Sequence, residues 1–285
     1  MQYAGVISAP GKKSLSKVFQ QAAFDHLDLA VKYEHWETPA DGLETRVTGL
    51  RAPSVLGANV TIPYKERCVP LMDILDPLVA KVSALNTIHN VEGVLHGYNT
   101  DVAGFLGGLR DARYEAGGCH AAVAGAGGAA RAIVVALTEH GAAAVTVLNR
   151  TLERAQRLVT DVREHCGNTE LRAMADTRQA WEEASSEAGL LVNCTSLGVA
   201  GTPDEERSPV PSDLIRPQML IYDLVYRPAD TRLLRDARAA GAQTMGGLPM
   251  LIYQGAASFE IWTGEKAPID VMRGALEAAL AGEAR

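Results

Sequence analysis

His120-Ala-Ala-Val-Ala-Gly-Ala-Gly-Gly-Ala-Ala130 reads as a short apolar strand running into a glycine-rich turn and then into a helix. Such a loop sets backbone N–H groups and the positive end of a helix against a pyrophosphate. Its third glycine position tolerates the Ala130 found here. Glycine-rich strand-to-helix turns are common, so the surrounding pattern has to support the reading. Outward from the loop, strands are expected near residues 120–124, 143–148, 190–194 and 220–224. Helices are expected over 128–140, 151–166 and 230–240. Strict alternation of this kind implies a parallel, doubly wound α/β sheet covered on both faces. The phosphate-facing residues are expected to be Gly125, Ala126, Gly127, Gly128 and Ala129.

The next strand speaks to the cofactor. NAD specificity usually shows an acid roughly 20 residues beyond the loop, holding a ribose hydroxyl. Here the strand ends Leu148-Asn149-Arg150-Thr151, without one. A carboxylate would repel a 2′-phosphate, whereas Arg150 can stack on adenine or clamp that phosphate. Asn149 and Thr151 add neutral hydrogen-bonding groups, and Arg154 lies one helical turn further on. NADP(H) is therefore expected in preference to NAD.

A first α/β block precedes this one. Strands are expected at 3–8, 31–38 and 55–62, and a hairpin at 86–91 and 94–99 turning on Glu92-Gly93. The first helix carries Leu15, Val18, Phe19, Ala22 and Ala23 at helical spacing, and Ser14 makes a good N-cap. A second helix opens at Asp41 with Glu44 completing a capping box, and another starts at Asp101. Within this block, Gly57-Ala-Asn-Val-Thr-Ile-Pro-Tyr-Lys-Glu66 carries the chemistry. An apolar strand (Val55, Leu56, Ala58, Val60, Ile62) holds Asn59 and Thr61 on alternate positions and leads to Lys65. Ligands of α/β sheets sit beyond the carboxyl ends of strands, and an amine placed there can move a proton.

Ser14, Ser16, Thr61, Asn86, Asn99, Thr100 and Asp101 are short polar groups at the ends of apolar elements, an inventory suited to a polyhydroxylated ligand. Asn99 or Thr100 could equally cap the helix from Asp101. On a helix over 248–262, Gln254 falls in a stripe of Met250, Leu251, Ala257 and Ile261, where it needs either a core hydrogen bond or a ligand hydroxyl. His89 and His96 would face each other across the hairpin, but two histidines without a third ligand make a poor metal site.

The 285 residues suggest two domains. The boundaries are placed at 1–103, with 248–285 completing that domain, and at 104–247. A hydrophobic fraction of 47% with 21% charged residues is ordinary globular composition. A net charge of −7 with dispersed basic residues leaves no footprint for nucleic acid or an anionic membrane. No segment reads as a secretion signal or membrane span. Cys68, Cys119, Cys166 and Cys194 have no paired spacing, which argues against a disulfide framework and for a reducing cytoplasm. A monomer or homodimer is expected.

The motifs Gly57–Lys65, Ala84-Leu-Asn-Thr87, Gly97-Tyr-Asn-Thr-Asp101, Gly125-Ala-Gly-Gly-Ala129, Asn149-Arg-Thr151, Asn193-Cys-Thr-Ser196, Tyr222-Asp-Leu-Val-Tyr226 and Gly247-Leu-Pro-Met-Leu-Ile-Tyr-Gln254 stand in the order of the shikimate dehydrogenases. The chain resembles that family over essentially its whole length. The resemblance implies an N-terminal substrate domain completed by the C-terminal helices, a Rossmann-type NADP domain, and reversible reduction of 3-dehydroshikimate to shikimate. It implies Lys65 and Asp101 as the catalytic pair. Ser14, Ser16, Thr61, Asn86, Tyr226 and Gln254 would hold substrate, and Leu224, Gly247 and Met250 would approach the nicotinamide. The family usually reads His-Ser-x-Ser-Pro-x-x-His-Asn at the first helix. This chain keeps both serines but has Lys13, Lys17, Gln20 and Gln21, and Val199 replaces a frequent methionine. Quinate or aminoshikimate is the alternative substrate, and a non-catalytic metabolite sensor the alternative class.

Overall fold

The structure, a computed structural model, describes residues 1–11 and 14–283; Lys13 lies outside the described residues. It divides into two compact units, Met1–Gly104 with Ile252–Arg285, and Phe105–Leu251. The first unit contains β1 (Gln2–Ser8), α1 (Ser16–His26), β2 (Val31–Glu37), α2 (Leu43–Gly49), β3 (Val55–Val60), β4 (Ile74–Leu75), α3 (Pro77–Val82), β5 (Thr87–Val91) and β6 (Val94–Tyr98). α4 (Asp101–Asp111) carries the chain into the second unit. That unit continues with β7 (His120–Ala124), α5 (Gly128–Glu139), β8 (Ala144–Asn149), α6 (Leu152–Val162), β9 (Glu170–Ala175), α7 (Arg178–Glu187), β10 (Leu190–Asn193), β11 (Leu220–Asp223), α8 (Arg232–Ala239) and β12 (Gln243–Met245). α9 (Leu248–Thr263) returns the chain to the first unit, and α10 (Ile269–Glu283) ends there against α1.

The first sheet has the order β2-β1-β3-β5-β6-β4. It is mixed. β1 pairs parallel with β2 and β3, while β3–β5 and β5–β6 are antiparallel. The hairpin turns as expected at Glu92 and Gly93, whose φ values of 52° and 88° suit a two-residue turn of the I′ kind. β3 is shorter than expected. It stops at Val60, and Ile62 is 61% exposed rather than buried. The cause is Pro63, which has no N–H for a ladder; the chain turns instead, with Tyr64 N–H donating to the Thr61 carbonyl at 2.9 Å. The capping box at Asp41 does not form either, because α2 begins two residues later, with Gly42 at its N-cap and no side-chain cap. Ser14 stands one residue before the N-cap of α1, Leu15, and its Oγ accepts the Ser16 N–H at 3.2 Å.

Helix faces differ from the apolar stripes. α1 buries Ser16, Phe19, Gln20, Ala23 and Phe24, while Val18 and Ala22 are only partly covered. α9 buries Ile252, Ala256, Ser258, Phe259 and Trp262, and Leu251, Ala257 and Ile261 are intermediate. A stripe drawn from hydrophobicity alone misses buried polar residues such as Gln20. Gln20 Nε2 donates to the Gly255 carbonyl at 2.9 Å, and that carbonyl belongs to a glycine pressed against Phe19. Phe24 and Phe259 meet at 5.0 Å between ring centroids.

The second sheet is wholly parallel, with the order β12-β11-β10-β7-β8-β9. Counted within the unit this is the Rossmann order, with its switch point between β7 and β10. β9, α7 and β12 escaped the sequence reading. β9 (Glu-Leu-Arg-Ala-Met-Ala) is a half-buried edge strand and α7 is mostly polar. Among the described residues no helix is long and apolar enough to cross a membrane.

One close approach gives a stability test. A Cβ on Gly57 would lie 2.2 Å from the Ile88 carbonyl oxygen and 2.4 Å from Trp262 Nε1, the two atoms that hydrogen-bond each other at 2.9 Å. Gly57→Ala is expected to lose about 3 kcal/mol by forcing both apart, read as a lower urea midpoint at unchanged m-value.

Candidate active site

Lys65 follows the turn after β3, and its backbone carbonyl accepts the Leu85 N–H at 2.9 Å, fixing it beside the strand that starts with Asn86-Thr87. Its ammonium Nζ donates to Asp101 Oδ2 at 2.5 Å, with the two side chains 14% and 4% exposed. Asp101 opens α4, and its backbone N–H donates to Asn99 Oδ1 at 3.0 Å, so Asn99 supplies the helix-end acceptor. The other carboxylate oxygen, Oδ1, accepts Asn86 Nδ2 at 2.9 Å. Asn86 Nδ2 also lies 2.9 Å from Thr100 Oγ1 and 3.2 Å from Gln254 Oε1. Asn86 Oδ1 in turn accepts the Thr100 N–H at 2.7 Å. Five elements thus converge on one amine–carboxylate pair.

Behind it lies a buried polar layer. Asn59 donates from Nδ2 to Ser258 Oγ at 3.0 Å and accepts the Tyr33 hydroxyl on Oδ1 at 2.7 Å. Ser258 Oγ is 2.7 Å from Thr87 Oγ1. Tyr33 is fully buried, and desolvation pushes its phenol well above the ordinary value, with a hydrogen bond from Ser16 as a partial offset. Ser16 and Ser14 share a hydrogen bond of 3.0 Å. Of the expected substrate residues, Ser14, Ser16, Asn86 and Gln254 join this network, and Thr61 stands at the turn after β3. Tyr226 alone lies in the second unit, partly buried after β11. Tyr33 and Ser258 were not among the expected residues. Their signals were faint: a tyrosine in a buried strand, and a serine one helical turn beyond Gln254.

His89 and His96 pair across the hairpin, and burial, with His96 nearby, holds the His89 imidazole below its usual value. Among the described residues there is no group of three His, Cys, Asp or Glu able to hold a metal ion.

In the second unit Gly125 follows β7 with φ +103°, a conformation L side chains avoid. A Cβ there would meet Thr195 Cγ2 at 3.2 Å and the Cys194 backbone at 3.3 Å, so the loops after β7 and β10 touch at the switch point. Gly127 is the N-cap of α5, open space lies where its Cβ would stand, and the first turn of α5 holds no acid. That vacant side and the aligned N–H groups fit a pyrophosphate. Asn149 Nδ2 donates to the Thr151 carbonyl at 2.8 Å. Arg150 and Arg154 are exposed and form no ion pair among the described residues. Asp176, the residue after β9, accepts Trp181 Nε1 at 2.7 Å.

Three family models match the chain. The "shikimate dehydrogenase substrate binding domain" covers residues 6–88, the "shikimate / quinate 5-dehydrogenase" model residues 111–195, and the "shikimate 5′-dehydrogenase C-terminal domain" residues 247–277. A shikimate dehydrogenase (NADP(+)) of Symbiobacterium thermophilum is 42% identical over 282 residues, 98% of this chain and 95% of that protein. The chain belongs to the shikimate dehydrogenase family. The fold agrees. The Thermus thermophilus shikimate 5-dehydrogenase, solved with NADP(H) and shikimate, superposes with a TM-score of 0.87 at 38% identity, covering 98% of this chain and 100% of that one. The Listeria monocytogenes enzyme, solved with shikimate and NAD, gives 0.88 at 32% identity, covering 96% of each chain.

At the end of β11 this family member carries a buried carboxylate, Asp223. Its Oδ1 accepts Asn193 Nδ2 at 2.9 Å and the Val225 N–H at 3.0 Å, and its Oδ2 accepts the Thr231 hydroxyl at 2.6 Å. Burial raises its carboxyl above the ordinary range, against those hydrogen bonds. The folded chain therefore holds this proton more tightly than the unfolded chain, so the contribution is full below about pH 4 and declines as pH rises through the raised value. Asp223→Asn should accordingly gain in Tm relative to the parent as pH rises from about 4, in melts followed from pH 4 to 8.

Proposed function

We infer that the chain is an NADP-dependent shikimate dehydrogenase, reducing 3-dehydroshikimate reversibly to shikimate. The observation that carries this reading is the secluded Lys65–Asp101 pair, held by Asn86 within a cluster of neutral hydroxyl and amide groups. Such a cluster offers a polyhydroxylated ring many hydrogen bonds without adding a second charge. Bound NADPH supplies the hydride. The fit rests on Gly125 and the open side of Gly127 for the pyrophosphate, and on Arg150 and Arg154, exposed and without carboxylate partners among the described residues, for the 2′-phosphate.

In this reading Lys65 donates a proton from Nζ to the substrate carbonyl oxygen as negative charge develops there, and its own charge stabilises that oxygen. Asp101 anchors the ammonium through Oδ2, and Asn86 holds Asp101 through Oδ1. Ser14, Ser16, Thr61 and Gln254 orient the ring hydroxyls. Tyr226 adds a substrate contact, and Leu224, Gly247 and Met250 border the nicotinamide. A Cβ on Gly247 would lie 2.2 Å from the Leu224 carbonyl oxygen, so this approach requires glycine.

Removing the general acid typically costs about 10²–10⁴ in rate. Lys65→Met should lose kcat by that much while KM stays within several-fold, followed by NADPH absorbance; near-normal kcat would remove Lys65 from the mechanism. Arg150→Ala should raise KM for NADP(H) about tenfold and leave that for NAD(H) nearly unchanged, since only the 2′-phosphate loses a partner. A panel of shikimate, quinate and aminoshikimate with both cofactors tests the choice of substrate.

A further inference from the structure

The buried layer behind Asn86 is more elaborate than core packing requires. Asn59, Thr87, Thr100 and Ser258 are 5%, 0%, 3% and 0% exposed, in a region otherwise filled by apolar side chains. Burying so many polar groups is tolerated only when every group is satisfied, and a satisfied network specifies one arrangement.

Its arrangement can be followed atom by atom. Tyr33 donates its hydroxyl to Asn59 Oδ1, which turns the Asn59 amide nitrogen toward Ser258. Ser258 Oγ thereby accepts a hydrogen bond. Its own proton has three acceptors in reach, Thr87 Oγ1 at 2.7 Å, the Gln254 carbonyl at 3.0 Å and Thr100 Oγ1 at 3.1 Å. The Thr87 hydroxyl lies 3.2 Å from Asn86 Oδ1, which also takes the Thr100 N–H, while Thr100 Oγ1 lies 3.2 Å from Oδ1 and 2.9 Å from Nδ2. The Thr87 hydroxyl and the Thr100 N–H thus fix the oxygen side of the Asn86 amide, and its NH₂ side faces Asp101 and Thr100 Oγ1. Reversing that amide would set a carbonyl oxygen against a carboxylate and an NH₂ against a backbone N–H.

We propose that Ser258 is a positioning residue for the reaction: with Thr87 and Thr100 it forms a hydroxyl cluster that fixes the Asn86 amide, and so holds Asp101 in line with Lys65. Ser258 touches neither of the reacting groups. It acts through three side chains, from a helix that reaches the site some 150 residues after Asp101 in the chain. Without its oxygen, the Asn59 amide and the Thr87 hydroxyl lose a partner and compete for the carbonyl oxygens of Asn86. The inference rests on the reading of Lys65 and Asp101 as the catalytic pair.

The test compares Ser258→Ala with the parent and with Lys65→Met in the full-length protein at 25 °C, using NADPH and 3-dehydroshikimate. Misplacing a catalytic group by about 1 Å can cost up to about a hundredfold in rate. The expected result for Ser258→Ala is a kcat lower by about ten- to a hundredfold, KM within threefold of the parent, and a displaced pH profile of kcat. Should Ser258→Ala fail to fold, the near-isosteric Thr87→Val is expected to show the same kinetic pattern, and Thr87→Ser to recover most of the loss. A lowered Tm with unchanged kcat, KM and pH profile, in whichever of Ser258→Ala and Thr87→Val folds, would mean a purely structural hydroxyl and overturn the proposal. If Lys65→Met itself keeps its activity, the catalytic reading fails first; a crippled Lys65→Met beside a normal Ser258→Ala rejects this inference alone.

Discussion

Asp101 carries a negative charge at a position almost closed to water, and most of the first unit's polar architecture answers to that fact. A buried carboxylate is costly unless it is both paired and hydrogen-bonded. Lys65 supplies the opposite charge to one oxygen and Asn86 an amide hydrogen to the other. Each of those partners must in turn be held. Lys65 is tied through its carbonyl to Leu85, and Asn86 through its oxygen to Thr100. The demand then passes outward to Ser258, Asn59 and Tyr33, until it reaches Ser16 at the start of α1. What looks like a list of polar residues is one continuous compensation for a single charge.

The second unit follows a different logic, in which the backbone supplies the site. Gly125 and Gly127 matter for the side chains they lack: one turns the chain at positive φ against Thr195, the other leaves room beside a helix end. The side chains there serve mainly to hold loops. Asn193 and Thr231 both bond Asp223, linking the loop after β10 to the start of α8.

Much of this was legible in the residues because local chemistry decided it. The Gly125–Ala129 turn and the Glu92-Gly93 hairpin follow from short motifs with strong conformational demands, whereas the pairing of Lys65 with Asp101, 36 residues apart, was implied by the family resemblance. Four kinds of feature were not. Ile62 looked like strand until Pro63 broke the ladder. The faces of α1 and α9 were misread because Gln20 and Ser258 are polar yet buried, and their partners come from remote parts of the chain. β4, with two residues, is too short for any periodicity to show. β9 and α7 carry too little apolar pattern to stand out from loop. For the helix faces the deciding contacts are tertiary, and no window of neighbouring residues contains them.

The first unit is assembled from two separated stretches, Met1–Gly104 and Ile252–Arg285, with the whole nucleotide-type sheet inserted between them. During synthesis, β1, β3 and β5 emerge first and must wait with the face of β3 that carries Gly57 and Asn59 uncovered. Trp262 and Ser258, which cover that face, leave the ribosome only after the inserted sheet is complete. Domains tend to form in the order they are made. Here that order is inverted for the first unit: its core is shut only after the inserted unit has been made.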